Sequence, residues 1–161
     1  MFTTTITPRI GDTDGLRHIN NNVVPIWFET ARNPIFRIFV PNLELTYKKW
    51  NLILAHTETN YIKQIYFGYD VEIRTYVSRI GNSSFTIIQE VWQNGQLRCS
   101  GLATMVHFNF IKQKSERIPD DIRKELEKHL ITEKELKIKN DKEMKENKKH
   151  IEEFDYIESD M

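Results

Sequence analysis

Apolar residues recur at near-helical spacing in one segment of the chain, and a stretch rich in β-branched residues precedes it. Residues 3–10 are predicted as a strand because Thr3-Thr4-Thr5-Ile6-Thr7 favours extended backbone. The spacing that follows predicts a helix up to about Val40, since Pro41 stops it. The apolar positions of this helix are Val24, Phe28, Ala31, Ile35, and Ile38 or Phe39.

This helix is expected to lie at the centre of the fold. Its apolar positions cover more than half of its circumference, whereas a helix on the surface of a domain shows a narrower stripe. Asn21 or Asn22 can cap its start, and Pro25 suits its first turn. Pro34 removes a hydrogen bond and crowds the preceding turn, so the sequence predicts a kink near Thr30.

Alternating apolar and polar residues after the helix predict a meander of strands. We expect strands over residues 52–66, 71–78 and 85–91, from the period of two that is typical of a half-buried strand. Asn94-Gly95 predicts a tight hairpin, because a type I′ turn needs positive φ at both central residues. The last strand should run over residues 97–111. Short turns imply antiparallel pairing, so the predicted class is α+β.

The end of the chain differs in composition from the rest. Pro119-Asp120-Asp121 opens a predicted helix with Leu126 and Leu130 on one face. We expect one domain over residues 1–131 and a charged tail, helical or disordered, over residues 132–161, because that tail has little apolar area to dock. Three apolar residues near the C-terminus form a candidate anchor: Ile151, Phe154 and Ile157.

Composition excludes several classes of protein. The chain has 161 residues and a formal net charge of zero, which offers no global attraction to nucleic acid or to an anionic membrane. We find neither a long apolar run nor a secretory signal, so no membrane partner and a cytoplasmic location are predicted. Cys99 is the only cysteine, which excludes an internal disulfide and a multi-cysteine metal site.

Reactive side chains are dense in the loop over residues 11–22, directly before the predicted helix. The loop contains two carboxylates, one imidazole and three amides. Such residues are common in turns and caps, so a polar loop is expected here in any case. At a helix start, however, backbone N–H groups lack partners and carry partial positive charge, so they can bind an oxyanion.

The same stretch resembles the entry segment of the hotdog-fold acyl-CoA thioesterases, the 4-hydroxybenzoyl-CoA thioesterase-like group. The matching motifs are Asp12-Thr13-Asp14, His18-Ile19-Asn20-Asn21 and Phe28-Glu29-Thr30-Ala31-Arg32, and a looser likeness extends to about Ile111. The resemblance implies an antiparallel sheet wrapped around one long central helix. Two departures stand out. Arg17 replaces a common Gly in the loop, and Val24 replaces a common aromatic residue of the pocket wall.

The resemblance implies a catalytic role for Asp12, which holds the place of the first Asp of the family's pair. Asp12 could be a nucleophile that forms an acyl-enzyme anhydride, or a general base for water. The oxyanion donors would be the backbone N–H groups of Asn21, Asn22 and Val23. His18 could orient Asp12 or contact the thioester, or it could be a structural hydrogen-bonding residue.

Six further residues are candidates for substrate binding: Glu29, Thr59, Asn60, Arg79, Asn82 and Ser83. Glu29 could face the substrate, or it could form an i,i+3 salt bridge with Arg32. Thr59 and Asn60 are expected to line a partner subunit's pocket, and Arg79 could contact a CoA phosphate. His56, Glu58 and Asn60 share a strand face, but the two possible ligands His56 and Glu58 without a third do not make a metal site, so no metal and no cofactor are predicted.

The sequence thus predicts a cytoplasmic acyl-CoA thioesterase that forms a homodimer or a dimer of dimers, with its active site at the subunit interface. One alternative is a non-catalytic hotdog module that binds acyl-CoA. The other is a thioesterase that acts on acyl groups carried by acyl carrier protein.

Overall fold

The computed structural model of the protein describes residues 1–148. The strands are β1 (Phe2–Ile6), β2 (Leu52–Tyr61), β3 (Val71–Ile80), β4 (Ser84–Gln93), β5 (Gln96–Asn109) and β6 (Lys114–Ser115). The helices are α1 (Val24–Ala31), α2 (Asn33–Phe39), α3 (Asp120–Glu127) and α4 (Glu133–Glu146), with a short 3₁₀ turn at Ile10–Asp12. No helix in this part of the chain is long and apolar enough to cross a membrane.

The strands form one antiparallel sheet in the order β1-β3-β4-β5-β2, with β6 paired to the end of β5. The predicted turn between β4 and β5 is confirmed, because Asn94 and Gly95 have φ angles of 49° and 74°. Helices α1 and α2 pack on the inner face of the curled sheet. The predicted α+β hotdog arrangement is therefore confirmed.

The core consists of two apolar clusters, one under each half of the central helical segment. The cluster around α1 includes Val24, Trp27, Phe28, Ala31, Ile73, Val91 and Cys99. The cluster around α2 includes Ile35, Phe39, Val77, Phe85, Ile87, Met105, Ile118 and Leu126. The alternation predicted for β3 and β4 places their buried residues on this inner face. Leu130, predicted to share a helix face with Leu126, lies beyond the end of α3 and is 48% exposed.

The central segment is two helices rather than one, joined at Arg32. The predicted kink is present, but it lies two residues beyond Thr30. Pro34 is in the first turn of α2, where its missing N–H costs nothing, so the chain starts a new helix around it. Ile35 N–H then bonds the Arg32 carbonyl, which leaves the carbonyl of Ala31 without its usual helical donor.

Helix α4 covers part of the outer face of the sheet. For residues 133–146 the helical alternative is therefore the one observed, and it docks, with Leu136 and Asn140 buried. Asn140 donates to the buried Glu90 carboxyl, and Arg74 forms two 2.7 Å hydrogen bonds to Glu143. Polar contacts therefore add to the packing of Leu136 against Tyr76 and Ile88 and hold a helix that has few apolar residues. The candidate anchor near the C-terminus lies outside the described residues, and the boundary near residue 131 stays a prediction.

Gly101 allows α1 to approach β5 closely, and its replacement tests this packing. A Cβ built at this position lies 2.5 Å from Cε2 of the buried Phe28 ring. We expect Gly101→Ala to lower the free energy of unfolding by about 1–3 kcal/mol, because the ring must leave its packed position. Gly11→Ala is the matched control, since an added Cβ there meets nothing within 4 Å. Urea denaturation of both variants measures the difference, and equal stability would contradict the account.

Candidate active site

The Asp12 carboxylate is held at the end of the 3₁₀ turn by Arg9. Its oxygens accept hydrogen bonds from the Arg9 backbone N–H at 2.8 Å and from Arg9 Nη2 at 3.0 Å. Asp12 is only 3% exposed, whereas the Arg9 side chain is 82% exposed. The hydrogen bond from the guanidinium lowers the pKa of Asp12, so the carboxylate is ionised at neutral pH. Sequence reasoning missed Arg9, whose signal was a basic residue three positions before the Asp.

The loop after Asp12 folds back on itself as a small hairpin. Thr13 pairs with Ile19, and the Asp12 carbonyl accepts a 2.8 Å hydrogen bond from Asn20 N–H. Arg17 lies near the tip with a φ of 67°, in the left-handed region that favours glycine. The departure from the family's common Gly therefore falls on a strained backbone position.

Asn20 organises the turn that enters α1. Its side-chain Oδ1 accepts from the Asn22 N–H and its carbonyl accepts from the Val23 N–H, both at 2.9 Å. Two of the three N–H groups predicted as oxyanion donors thus already have acceptors within the chain, and each would have to change partner to bind an oxyanion. Asn20, which was not among the candidates, is the residue that positions them.

His18 contacts Asp14 rather than Asp12. Its Nδ1 atom lies 3.9 Å from Asp14 Oδ2, and its ring packs edge-on against Tyr66 with centroids 5.1 Å apart. Asp14 in turn accepts a 2.8 Å hydrogen bond from Leu16 N–H, so it orders the loop as expected. This geometry favours the structural alternative for His18.

A cavity of about 350 Å³ lies at the start of α1, and we call it the helix-start cavity. Its lining residues are Ile19, Asn21, Val24, Tyr61, Ile62, Lys63, Gln64, Ile65 and Cys99. The Tyr61 hydroxyl donates to the Asn21 carbonyl at 2.5 Å and fixes the turn from the end of β2. Burial raises the pKa of the Cys99 thiol to about 11, so this thiol is protonated at neutral pH and is not the nucleophile. Sequence reasoning missed Tyr61.

A second cavity, of about 160 Å³, lies between α1 and β2, and we call it the α1–β2 cavity. Its lining residues are Pro25, Phe28, Glu29, Arg32, Leu54, Thr57, Glu58, Thr59, Gln89 and Leu102. The structure thus brings Glu29 and Thr59 together. Within residues 1–148, Glu29 and Arg32 form no ion pair within 4.0 Å. Burial lowers the pKa of Arg32, and the charge of Glu29 opposes this at longer range.

The other predicted substrate residue of β2 faces the opposite way. Asn60 lines a groove of about 430 Å³ on the outer face of the sheet, beneath α4. Successive side chains of a strand point to opposite faces, and Asn60 lines the outer groove, whereas Glu58 at this edge of the sheet borders both the groove and the α1–β2 cavity. His56 and Glu58 share the outer face and form a 2.9 Å ion pair. In the part of the chain that is described, no three His, Cys, Asp or Glu residues are grouped as metal ligands.

Arg79, Asn82 and Ser83 lie at the turn between β3 and β4, far from the start of α1. Gln89 of β4 pairs with Gly101, the residue beneath Phe28, and six residues of extended strand separate Gln89 from Ser83, about 20 Å. Asn82 accepts from Ile118 N–H, so this turn packs against the segment that leads into α3. Within one protomer these three residues do not join the Asp12 loop, and their assignment stays a prediction that requires a partner subunit.

Comparison with known proteins identifies the family to which this chain is similar. A model of the thioesterase-like superfamily matches residues 8–126. A structure described as a predicted thioesterase from Bacillus stearothermophilus is 46% identical, covers 81% of this chain and 97% of its own, and superposes with a TM-score of 0.77. A thioesterase from Thermus thermophilus, solved with coenzyme A and Zn, is 25% identical, with coverages of 78% and 91% and a TM-score of 0.68.

A Staphylococcus aureus protein solved with CoA is 18% identical, covers 81% of this chain and 86% of its own, and has a TM-score of 0.68, so it bears on the fold alone. No curated protein matches. The family model spans well over half of the chain and includes the loop around Asp12, both central helices and all strands of the sheet except β1. The chain therefore belongs to the thioesterase-like superfamily.

Proposed function

We propose that this protein hydrolyses acyl-CoA thioesters at the start of α1, with Asp12 as the reacting carboxylate. The observation that carries the proposal is the ionised, nearly buried Asp12 carboxylate, tied through its own carbonyl to Asn20 and so to the turn that enters α1. Coenzyme A bound to the Thermus relative supports CoA as the thiol carrier. The superfamily supports thioester hydrolysis as the reaction.

The thioester carbonyl carbon would approach Asp12 once the exposed Arg9 guanidinium moves aside, while the Arg9 backbone N–H keeps the carboxylate in place. As a general base, Asp12 takes a proton from water as the water oxygen bonds to the carbonyl carbon. As a nucleophile, Asp12 itself bonds to that carbon and forms an anhydride, which water then hydrolyses. In both routes the C–S bond breaks and CoA leaves as the thiolate, which is then protonated.

The developing oxyanion would be bound by N–H groups of residues 21–23, at the positive end of α1. The Asn21 carbonyl is fixed by Tyr61, and the Asn22 and Val23 N–H groups exchange Asn20 for the oxyanion. Loss of one such donor costs about 10²–10³ in kcat in other enzymes. Because these donors belong to the backbone, side-chain substitution at Asn21 or Asn22 is a poor test of the role.

We further propose that the active protein is a dimer joined along β2. Strand β2 is an edge strand of ten residues, and Leu54 and Tyr61 on it are 46% and 50% exposed. A long exposed edge readily pairs with another chain, whereas β1, the other edge, has only five residues. Pairing along β2 would place the partner's residues beside the α1–β2 cavity.

The role of Asp12 predicts the result of a conservative substitution. Asp12→Asn keeps an oxygen for the Arg9 backbone N–H but removes the charge, so we expect a correctly folded protein whose kcat on acyl-CoA falls about 10²–10⁴-fold. Asp14→Asn is the matched control, because its remaining oxygen still accepts from Leu16 N–H, and it should retain most activity. The rate of release of the CoA thiol measures kcat for both variants. Wild-type rates in Asp12→Asn would exclude the assignment, and tight acyl-CoA binding without turnover by wild type would favour the non-catalytic module.

The contact between Arg9 and Asp12 predicts a shift in pH dependence. Arg9 lowers the pKa of Asp12, and the ionised form is the active one, so Arg9→Met should move the acid limb of the kcat/KM profile to higher pH. Arg9→Lys, which keeps a positive charge, should move it less. High salt should shift the wild-type limb in the same direction, since the Arg9 side chain is exposed. If Arg9→Met leaves the acid limb of the kcat/KM profile unchanged, the pKa of Asp12 does not determine that limb.

The proposed dimer predicts different effects of a lysine on the two edge strands. Wild type should sediment at twice the chain mass. Ala55→Lys, on exposed β2, should shift the protein toward monomer and lower kcat/KM, because charge on an edge opposes pairing. Thr5→Lys, on exposed β1, should change neither quantity. Sedimentation and activity measured at the same concentrations test this, and a monomeric wild type with full activity would contradict the proposal.

A further inference from the structure

Arg32 is a buried cation that forms no ion pair within 4.0 Å among the described residues, although the Glu29 charge acts on it at longer range. It lies at the junction of α1 and α2 and is 5% exposed. Its guanidinium has five N–H donors, and in residues 1–148 only Nη1 makes a hydrogen bond, at 3.2 Å to the neutral side chain of Gln89. Nε is buried without a partner. Buried donors without acceptors are costly, so this arrangement calls for an explanation.

The surroundings of Arg32 indicate where an acceptor could come from. Arg32 lines the α1–β2 cavity together with Thr57, Thr59 and Gln89, while Phe28, Leu54 and other apolar residues form the rest of its wall. A pocket that is mostly apolar with a few convergent polar groups is typical of a ligand site. Gln89 is itself fixed, because its Nε2 donates to the Phe28 carbonyl at 2.9 Å and to Thr75 Oγ1 at 3.1 Å.

The size and position of this cavity limit what it can hold. Its volume of about 160 Å³ is close to the ~150 Å³ of an engineered cavity that binds benzene, so it fits about six non-hydrogen atoms. The Arg32 guanidinium lies near the level of Phe28, because its Nη1 bonds Gln89, whose Nε2 bonds the Phe28 carbonyl. Phe28 is five residues beyond Val23, which is about 7.5 Å along a helix axis and matches the span of a chain of about six carbons. An oxygen that meets Arg32 must therefore be at the far end of the acyl group from the thioester carbonyl.

The charges at the cavity favour a neutral oxygen over a second carboxylate. Glu29 and Glu58 also line it, and both are exposed, whereas the Arg32 guanidinium is buried. A substrate carboxylate would pass these two like charges to reach one cation, while a hydroxyl or carbonyl oxygen accepts from Arg32 without that repulsion.

We propose that Arg32 determines substrate specificity by donating to a neutral oxygen at the distal end of a short acyl chain of about six carbons. This inference rests on the proposed function, because it places the acyl group of the CoA thioester in the α1–β2 cavity. A site with a buried polar donor rejects an analogue that lacks the acceptor, since the donor is then left without a partner.

Paired substrates test the proposal in wild-type protein. 6-Hydroxyhexanoyl-CoA and heptanoyl-CoA have the same number of non-hydrogen atoms, with a hydroxyl in place of a methyl group. We expect kcat/KM for the hydroxylated substrate to be about 10- to 100-fold higher. Adipoyl-CoA, which ends in a carboxylate, should be slower than the hydroxylated substrate. Equal or faster hydrolysis of heptanoyl-CoA overturns the proposal, and adipoyl-CoA as the fastest substrate overturns the choice of a neutral oxygen.

Two variants assign the preference to Arg32. Arg32→Met should bring the ratio of the two kcat/KM values close to one, whereas Arg37→Met, an exposed arginine in α2, should leave the ratio unchanged. If Arg32→Met does not fold, Thr57→Val and Thr59→Val test the same wall of the cavity, and the wild-type ratio still decides. Hydrolysis of all three substrates without a preference rejects only this inference, whereas failure to hydrolyse any acyl-CoA rejects the proposed function.

Discussion

The break in the central helix is the constraint on which the rest of the structure depends. Pro34 cannot donate a hydrogen bond, so the helical segment ends and restarts at Arg32, inside the curled sheet. The break leaves the buried Ala31 carbonyl without its helical donor, and Thr75 Oγ1 donates to it at 3.4 Å. Gln89 adds a second donor to the Phe28 carbonyl, which already accepts from Arg32 N–H. Polar side chains therefore lie on the buried faces of β3 and β4.

Two buried charged groups lie at opposite ends of α1 and differ in their partners. The Asp12 carboxylate, before the helix, has its countercharge in the exposed Arg9 guanidinium. Arg32, after the helix, meets only a neutral amide among the described residues. In our account the difference corresponds to two tasks. Asp12 must stay ionised to react, and Arg32 must keep donors open for an oxygen of the acyl group, so α1 separates the reacting end of the substrate from the recognised end.

Local patterns predicted the fold well, because its elements follow from nearby residues. Asn94-Gly95 specified its turn, the alternation in β3 specified its buried face, and the Asp12 loop with its helix carried the family. The strand period of two also placed Asn60 on one face with His56 and Glu58, which is opposite to Thr59. The hydrogen bonds of Arg9, Asn20 and Tyr61 could not be predicted, because they depend on how the loop closes. The docking of α4 was missed because Leu136 is its one buried apolar residue and the hydrogen bonds of Asn140 and Glu143 add to that contact.

The central claim is that the thioester lies at the start of α1 within reach of Asp12. A crystal structure with a thioether analogue of an acyl-CoA, in which a CH₂ group inserted before the sulfur blocks hydrolysis, tests it most directly. The account predicts the analogue's carbonyl oxygen within hydrogen-bond distance of an N–H group of residues 21–23. It also predicts an Asp12 oxygen, directly or through one water, against the carbonyl carbon, with the acyl chain in the α1–β2 cavity. A carbonyl bound elsewhere, with Arg9 still covering Asp12, would contradict it.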